Sequence, residues 1–307
     1  MRCLCCGKII SNQASAVEKE WCWHKKCVKT FFQTEELPLL DISKEQLEKL
    51  ANETVNEGLT VPGVQKKLSL HLSSDTNARL TIVDYPTGFI LKPQTEEFEH
   101  MPEFEDFAMR VAELMGIRTV PHALICVNHE YAYITKRIDR DITQNEVKLY
   151  AMEDFCQLSN RLTQDKYRGS YENCGRIIQK YSITPGLDLS ELFLRVAGSF
   201  VIGNSDMHLK NFSLRETEPG NRKFQLSKAY DMLPVNVIMP EDKEQFALTI
   251  NGKKRNIHKK EFKILAEACG IQPKAAEHMI KRICALHEKM VKLADDSYLT
   301  EQEKEKV

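Results

Sequence analysis

The segment GSFVIGNSDMHLKNFSL, residues 198–214, is rich in polar side chains and follows an apolar run with helical spacing. Within it, Asp206 and Asn211 have the D-x-x-x-x-N spacing of a phosphoryl-transfer loop. In such a loop the carboxylate accepts a proton from the acceptor hydroxyl, and the amide oxygen reaches Mg²⁺. Asp and Asn are also common in ordinary turns, where they bond to backbone groups. The spacing alone therefore leaves both interpretations open.

Charged side chains elsewhere in the sequence fit the same chemistry. Asp231 follows Asn211 by twenty residues, behind the strand-like KFQLSKAYD, at the place of a second magnesium-binding carboxylate. Lys92 ends the apolar FILKP, where a lysine could contact nucleotide phosphates, although a solvent-facing lysine at a strand end is the simpler interpretation. Glu105 could pair with Lys92, and Glu103 is an alternative partner. Together these positions favour an ATP-dependent phosphotransferase.

A turn-like segment, TVPGVQKK at residues 60–67, precedes the strand-patterned region. Its backbone N–H groups and lysine side chains could cover the phosphates of a nucleotide. The segment lacks the G-x-G-x-x-G pattern, so its composition alone indicates only a turn.

The first 27 residues carry five of the ten cysteines of the chain. Two ligand pairs at two-residue spacing can enclose one tetrahedral zinc ion, and these are Cys3, Cys6, His24 and Cys27. Cys5 and Cys22 lie nearby and could substitute for a ligand. Four protein ligands leave no position for a substrate, so the predicted site is structural. Phe31 and Phe32 could pack this head against the body of the protein; the alternative is a chance cluster of cysteines in a disordered end.

The composition is that of a globular protein, with 42% hydrophobic and 28% charged residues among 307, and it excludes a disordered or fibrous chain. The 43 Lys and Arg nearly balance the 44 Asp and Glu, so no global basic field attracts nucleic acid. No apolar run approaches the roughly 18 residues of a membrane helix, and MRCLCCGKII lacks the apolar core of a secretory signal. We therefore predict a cytoplasmic protein with reduced cysteines. Core positions are predicted for Cys126, Cys156, Cys174, Cys269 and Cys284.

Changes of pattern along the chain predict an α+β protein with two lobes. Residues 1–32 form the cysteine-rich head, residues 33–151 a β-rich N-lobe, and residues 152–307 a mainly α-helical C-lobe. In the N-lobe the patterns predict a helix within 33–60, two strands in LTIVDYPTGFILKP, a helix in EFEDFAMRVAELMGI, and a hairpin in ALICVNHEYAYITKRI. In the C-lobe they predict helices over 189–200, 259–269 and 273–294.

At these residues the chain closely resembles the HipA-like serine/threonine kinases, the toxins of bacterial toxin–antitoxin pairs. The matching motifs occur in family order over residues 58 to about 270, and they are VPGVQKKLSL, FILKP, EDFAMRVAELMGI, KRIDR, EDFCQ, GNSDMHLKNFSL and AYDMLP. The head, CLCCGK with WHKKC, resembles a zinc-binding extension of some short family members. The resemblance implies a protein-kinase-like fold and an activity that uses ATP and Mg²⁺.

The resemblance also implies catalytic roles position by position. Asp206 would be the catalytic base, and Asn211 and Asp231 would hold Mg²⁺. Lys92 would contact the ATP phosphates, and His208 would brace the catalytic loop together with the neighbouring Asn204. The alternative for His208 is an ordinary packed loop histidine, and that role differs little from bracing the loop.

The resemblance also implies residues that bind the nucleotide and a residue that regulates the enzyme. The phosphate-covering loop would be formed by Val61, Gly63, Val64, Gln65 and Lys67, with Gln65 and Lys67 pointing inward. Glu153 and Phe155, in EDFCQ, would hold adenine through their backbones. Thr60 stands where family members often carry a serine whose autophosphorylation silences the enzyme. Because its β-branch restricts χ1, Thr60 leaves the family's rule of inhibition open for this chain.

The implied acceptor is a protein hydroxyl, with an aminoacyl-tRNA synthetase as the first candidate. The implied partner is a HipB-like DNA-binding antitoxin, so DNA would be contacted only indirectly, and no membrane contact is expected. Full-length toxins carry an N-terminal subdomain where this chain has only the zinc-like head. We therefore expect that subdomain to be a separate small polypeptide, which makes antitoxin contact an open question.

Three other functions stay open at this point. The first is an ATP-binding pseudokinase that docks an antitoxin and DNA, although the intact candidate residues disfavour it. The second is a small-molecule kinase, because a sequence does not distinguish a protein hydroxyl from a metabolite hydroxyl. The third is a zinc-dependent nucleic-acid binder, which the formal charge of −1 disfavours.

Overall fold

The computed structural model describes residues 1–40, 67–73, 78–81, 86–143 and 146–307. These residues form two compact units. The first unit contains Met1–Asp106 and Val120–Val147, and the second unit contains Phe107–Thr119 and Lys148–Val307. The predicted helix within residues 33–60 lies largely outside the described residues.

The described helices are α1 (Ala16–Trp21), α2 (Lys25–Phe32), α3 (Met101–Met115), α4 (Phe155–Leu158), α5 (Tyr171–Tyr181), α6 (Pro185–Ile202), α7 (Val235–Ile238), α8 (Lys259–Ala268), α9 (Pro273–Cys284), α10 (His287–Asp295) and α11 (Glu301–Lys304). The described strands are β1 (Leu68–Leu72), β2 (Leu80–Thr81), β3 (Phe89–Lys92), β4 (His122–Val127), β5 (Glu130–Lys136), β6 (Arg140–Ile142), β7 (Val147–Leu149), β8 (Met152–Asp154), β9 (Ser213–Glu216) and β10 (Phe224–Leu226). Helices and antiparallel sheets are thus both present, as predicted for an α+β protein. Among the described residues, no helix is long and apolar enough to span a bilayer.

The first unit is built on an antiparallel sheet whose described strands have the order β2-β1-β3-β5-β4. The predicted hairpin is confirmed as β4 and β5, whose last pair is Val127 with Glu130. Asn128 and His129 connect them with φ values of 50° and 68°, which is the left-handed geometry of a tight two-residue turn. The two strands predicted in LTIVDYPTGFILKP also form, as β2 and β3. They do not pair with each other, because β1 lies between them.

The cysteine-rich head packs on this sheet through aromatic side chains. Ser15 caps α1 with a reciprocal capping box to Glu18, which fixes the start of a very short helix. Phe31 and Phe32, at the end of α2, lie 5.9 and 5.3 Å from Phe89 of β3 between ring centroids. This confirms the predicted packing of the head through these two phenylalanines.

The second unit is mainly helical around α6, in which twelve of the eighteen residues are buried. Gly198 of α6 faces Ile117 and Met115 so closely that an added Cβ would lie 2.8 Å from Ile117 Cδ1. The helix ends at Gly203, which has a φ of 77° and caps it in the left-handed region. A small antiparallel sheet of order β10-β9-β8 flanks these helices within the described residues.

Two sequence predictions need correction. The tail helix predicted over 273–294 is two helices, α9 and α10, because the backbone turns at Ala285 and Leu286. Core positions are confirmed for Cys156, Cys174 and Cys269, but Cys126 and Cys284 are exposed. The latter two follow the apolar pattern of their neighbours while their own side chains lie on the solvent face of a strand and a helix end.

Candidate active site

The loop that follows α6 is closed by hydrogen bonds from two of its own amide side chains. Asn204 Oδ1 accepts a hydrogen bond from the Asp206 N–H at 3.2 Å. Asn211 Nδ2 donates to the Asp206 carbonyl at 3.1 Å, and the His208 N–H donates to the same carbonyl at 2.8 Å. The five-residue spacing found in the sequence thus corresponds to one compact loop in which Asp206 and Asn211 meet. Asn204 and His208 brace this loop.

The Asp206 carboxylate has a partner that the sequence did not indicate. Tyr167 donates a hydrogen bond from its Oη to Asp206 Oδ1 at 2.8 Å. The Asp206 side chain remains 47% exposed. Partial burial raises its pKa, while the hydrogen bond from Tyr167 acts in the opposite direction and the charges of Asp231 and Asp242 add to the rise. Tyr167 was missed because it lies 39 residues upstream in a polar loop with no recognisable motif.

His208 is a packed, neutral member of the loop. It is buried, and its ring meets the Tyr167 ring edge-on at 5.3 Å between centroids. Burial and the positive charge of Lys166 lower the pKa of His208 to about 4. Its Nε2 lies 4.0 Å from Asp206 Oδ2, too far for a hydrogen bond. His208 therefore shapes the loop without bringing a positive charge to the carboxylate.

Asn211 and Asp231 supply the oxygen donors that Mg²⁺ prefers. Asn211 is buried and uses its amide nitrogen within the loop, so the amide oxygen is the atom left for a cation. Asp231 adopts a φ of 62°, an uncommon left-handed conformation for a residue other than glycine. Its charge raises the pKa of both Asp206 and His208, which places it within electrostatic reach of the loop. The donor set fits a magnesium ion.

Tyr230 anchors the backbone immediately before Asp231. Its hydroxyl donates to the carbonyl of Lys210 at 3.0 Å and lies 2.5 Å from Ser213 Oγ. The conformation of Asp231 is therefore tied through its neighbour to both ends of the segment that contains Asn211.

In the first unit, Lys92 forms a buried ion pair. Lys92 Nζ lies 2.7 Å from Glu105 Oε1, with the two side chains 8% and 1% exposed. The prediction that Glu105 pairs with Lys92 is confirmed. The ammonium also lies 5.6 Å from the centre of the Tyr133 ring. A lysine in such a pair is held in one position, unlike the solvent-facing lysine of the simpler interpretation.

The two residues predicted to hold adenine, Glu153 and Phe155, differ in burial. Glu153 pairs with Leu214 in the sheet and exposes its side chain. Phe155 is fully buried, donates its N–H to the Phe212 carbonyl at 2.9 Å, and accepts from the Ser159 N–H at 3.1 Å. The backbone groups of Phe155 are thus already used inside the second unit.

The predicted phosphate-covering loop is described only at its last residue. Lys67 precedes β1 and is exposed. The other predicted positions lie outside the described residues, and they are Thr60, Val61, Gly63, Val64 and Gln65.

The head brings its four predicted ligands together. The ligand atoms of Cys3, Cys6, His24 and Cys27 all lie within 4.8 Å of one another. The His24 backbone nitrogen lies 3.4 Å from Cys3 Sγ and can donate a hydrogen bond to that sulfur. Three sulfurs and one imidazole nitrogen in a partly buried cluster fit a structural zinc ion.

Comparisons with known proteins identify the family and the fold of this chain. The family model described as the HipA-like C-terminal domain matches residues 59–291. The chain belongs to the HipA-like kinase family. The Sinorhizobium fredii protein named "Putative kinase Y4dM" is 30% identical over 249 residues, which cover 75% of this chain and 59% of that protein. A Haemophilus influenzae protein named "Putative kinase" is 26% identical over 189 residues, which cover 59% of this chain and 54% of that protein.

The chain therefore spans about half to three fifths of the length of these relatives.

Two solved structures share its fold. HipA of Shewanella oneidensis, solved with HipB and operator DNA, matches with a TM-score of 0.68 at 18% identity, covering 80% of this chain and 61% of HipA. The Helicobacter pylori proinflammatory kinase CtkA matches with a TM-score of 0.52 at 14% identity, covering 78% of this chain and 89% of CtkA. The fold is thus the α+β kinase-like fold of HipA.

Proposed function

We propose that the protein is an ATP-dependent serine/threonine kinase that transfers the γ-phosphoryl group of ATP to a protein hydroxyl. The observation that carries this proposal is the closed loop at Asp206 and Asn211, in which a half-exposed carboxylate and a buried amide are fixed by the loop's own hydrogen bonds. Membership in a family of kinases supports it.

In this proposal each residue has one task. Asp206 orients the acceptor hydroxyl and takes its proton as the oxygen attacks the γ-phosphorus. Asn211 and Asp231 hold Mg²⁺, which offsets the negative charge of the phosphates. Lys92, fixed by Glu105, contacts the phosphates. Most of the rate enhancement then comes from positioning and electrostatics rather than from covalent chemistry.

The test is transfer from radiolabelled ATP to bacterial lysate proteins by the wild type and by Asp206→Asn. We expect labelled protein bands with the wild type and a loss of at least about a hundredfold with Asp206→Asn. Asp295→Asn, an equal change on the exposed end of α10, is the matched control and should label normally. Equal labelling by the wild type and Asp206→Asn would refute the assignment of the base.

The same assay separates the two other enzyme-like functions. A pseudokinase would bind ATP, seen by calorimetry, and label no protein. A small-molecule kinase would consume ATP and leave its label in the metabolite fraction. Labelled proteins identified by mass spectrometry would show whether an aminoacyl-tRNA synthetase is the acceptor, and whether Thr60 is modified.

We further propose a HipB-like DNA-binding antitoxin as partner, since the structurally similar HipA of Shewanella oneidensis was solved with HipB and its operator DNA. A separate small N-terminal subdomain protein would join this complex. In a gel-shift assay, we expect the chain to retard operator DNA only when the antitoxin is present. Retardation by the chain alone would contradict indirect DNA contact.

A further inference from the structure

The second unit contains a pocket behind the catalytic loop that the proposed reaction does not use. It lies where the end of α4, the face of α5 and the short turn at Leu209–Asn211 meet, and it has a volume of about 230 Å³. Its lining residues are Leu158, Ser159, Arg161, Gly169, Asn173, Arg176, Ile177, Lys180, Tyr181 and Leu209.

The lining is strongly cationic. Arg161, Arg176 and Lys180 contribute three positive charges, and none of the lining residues is acidic. In the described part of the chain, no carboxylate forms an ion pair with any of the three, and Arg161 Nη1 is buried without a hydrogen-bond acceptor. A buried guanidinium nitrogen without an acceptor is costly. The pocket is therefore built to accept an anion.

The floor of the pocket is apolar and belongs to the catalytic loop. Leu209 is 1% exposed and lies between Asp206 and Asn211 in the sequence. Its N–H donates to the Lys166 carbonyl at 3.1 Å, beside the tyrosine that bonds to Asp206. An apolar group seated on Leu209 would therefore contact the loop that contains Asp206 and Asn211.

We propose that this pocket binds an acidic peptide segment of the protein substrate, with one apolar side chain on the floor and carboxylates on the three cations. The volume lies below the range of roughly 300–1,000 Å³ that encloses drug-sized ligands, so it suits one or two side chains better than a nucleotide. A nucleic-acid strand would need a basic track with stacking platforms, and Tyr181 is the one aromatic residue in the lining. The identity of the peptide as substrate rests on the proposed kinase function.

The test is fluorescence anisotropy of the whole protein with a fluorescein-labelled peptide that places glutamates on both sides of a leucine. We expect saturable binding that falls about tenfold or more in the double variant Arg176→Glu, Lys180→Glu. Both side chains are exposed, so the fold should tolerate the change. The matched control is Lys289→Glu, Lys292→Glu on α10, also exposed, which should bind as the wild type does.

Several outcomes would overturn the assignment. One is equal binding of the peptide by the two double variants. Another is equal binding of a peptide with lysines in place of the glutamates. The third is complete displacement of the peptide by inorganic phosphate or by a single-stranded RNA oligonucleotide. The Asp206→Asn variant separates this proposal from the kinase proposal. It should bind the peptide with wild-type affinity while transferring no phosphate, so failure of binding and failure of catalysis are distinct results.

Discussion

The buried ion pair between Lys92 and Glu105 leads to a prediction whose size follows from its geometry. The two charged atoms lie 2.7 Å apart. At an effective dielectric constant of about 20, Coulomb's law gives a gross attraction of about 6 kcal/mol at this distance. Desolvation of two charges offsets most of that attraction, so the intact pair contributes little net stability. Breaking the pair is a different matter, because it leaves one charge buried without its partner.

Lys92→Met should therefore lower the free energy of unfolding by about 3–5 kcal/mol. Adding Glu105→Met removes the second charge at similar volume, and the double variant should be more stable than Lys92→Met alone, with a coupling energy of about 2–3 kcal/mol. The matched control is Lys29→Met, which breaks a pair with Glu35 whose side chains are 68% and 81% exposed. That change should cost less than about 1 kcal/mol.

The assay is urea unfolding followed by tryptophan fluorescence. The chain has two tryptophans, Trp21 and Trp23, and both lie in the first unit with Lys92. A double variant whose loss equals the sum of the two single losses would refute the coupling argument. If the protein is the proposed kinase, the double variant should regain stability while phosphoryl transfer stays lost, because Lys92 is required at the phosphates.

Three further predictions concern other parts of the molecule. Chelation of the purified protein should release about one zinc ion per chain and shift the tryptophan emission, because both tryptophans lie in the head; unchanged emission would argue against a structural metal. Tyr167→Phe should raise the pKa of Asp206, since the lost hydrogen bond lowered it, so the acid limb of the pH–rate profile should move to higher pH. Gly198→Ala should cost about 1–3 kcal/mol through overpacking, whereas Gly186→Ala, with open space around it, should stabilise the same helix by up to about 1 kcal/mol in thermal unfolding.

Features set by short-range pattern could be predicted from the sequence. The spacing of Asp206 and Asn211 corresponds to one closed loop, and the two ligand pairs of the head converge, because in each case a few residues decide the geometry. The β4–β5 hairpin was predictable for the same reason, since its turn is only two residues long. The sequence offered both Glu105 and Glu103 as partners of Lys92, and the ion pair with Glu105 became evident only in the structure.

Features set by distant contacts could not be predicted in this way. The strand order places β1 between β2 and β3, which periodicity does not reveal. Cys126 and Cys284 have apolar neighbours in the sequence yet face solvent, because hydrophobic pattern describes a segment better than a single side chain. Tyr167 reaches Asp206 across 39 residues of chain, and no spacing rule links a tyrosine in a polar loop to that carboxylate.

That distant tyrosine distinguishes the two oxygens of the Asp206 carboxylate. Burial and the nearby negative charge of Asp206 raise the pKa of Tyr167 well above its usual value, so its hydroxyl stays protonated and donates to Oδ1 throughout the physiological range. The second oxygen, Oδ2, faces a neutral His208 at 4.0 Å and receives no charge-assisted hydrogen bond from it. In the proposed reaction we therefore expect Oδ2, which has no hydrogen bond from Tyr167, to take the proton of the acceptor hydroxyl. The hydrogen bond at Oδ1 would then help to fix the direction from which the acceptor approaches, and Tyr167→Phe would remove that fixed partner.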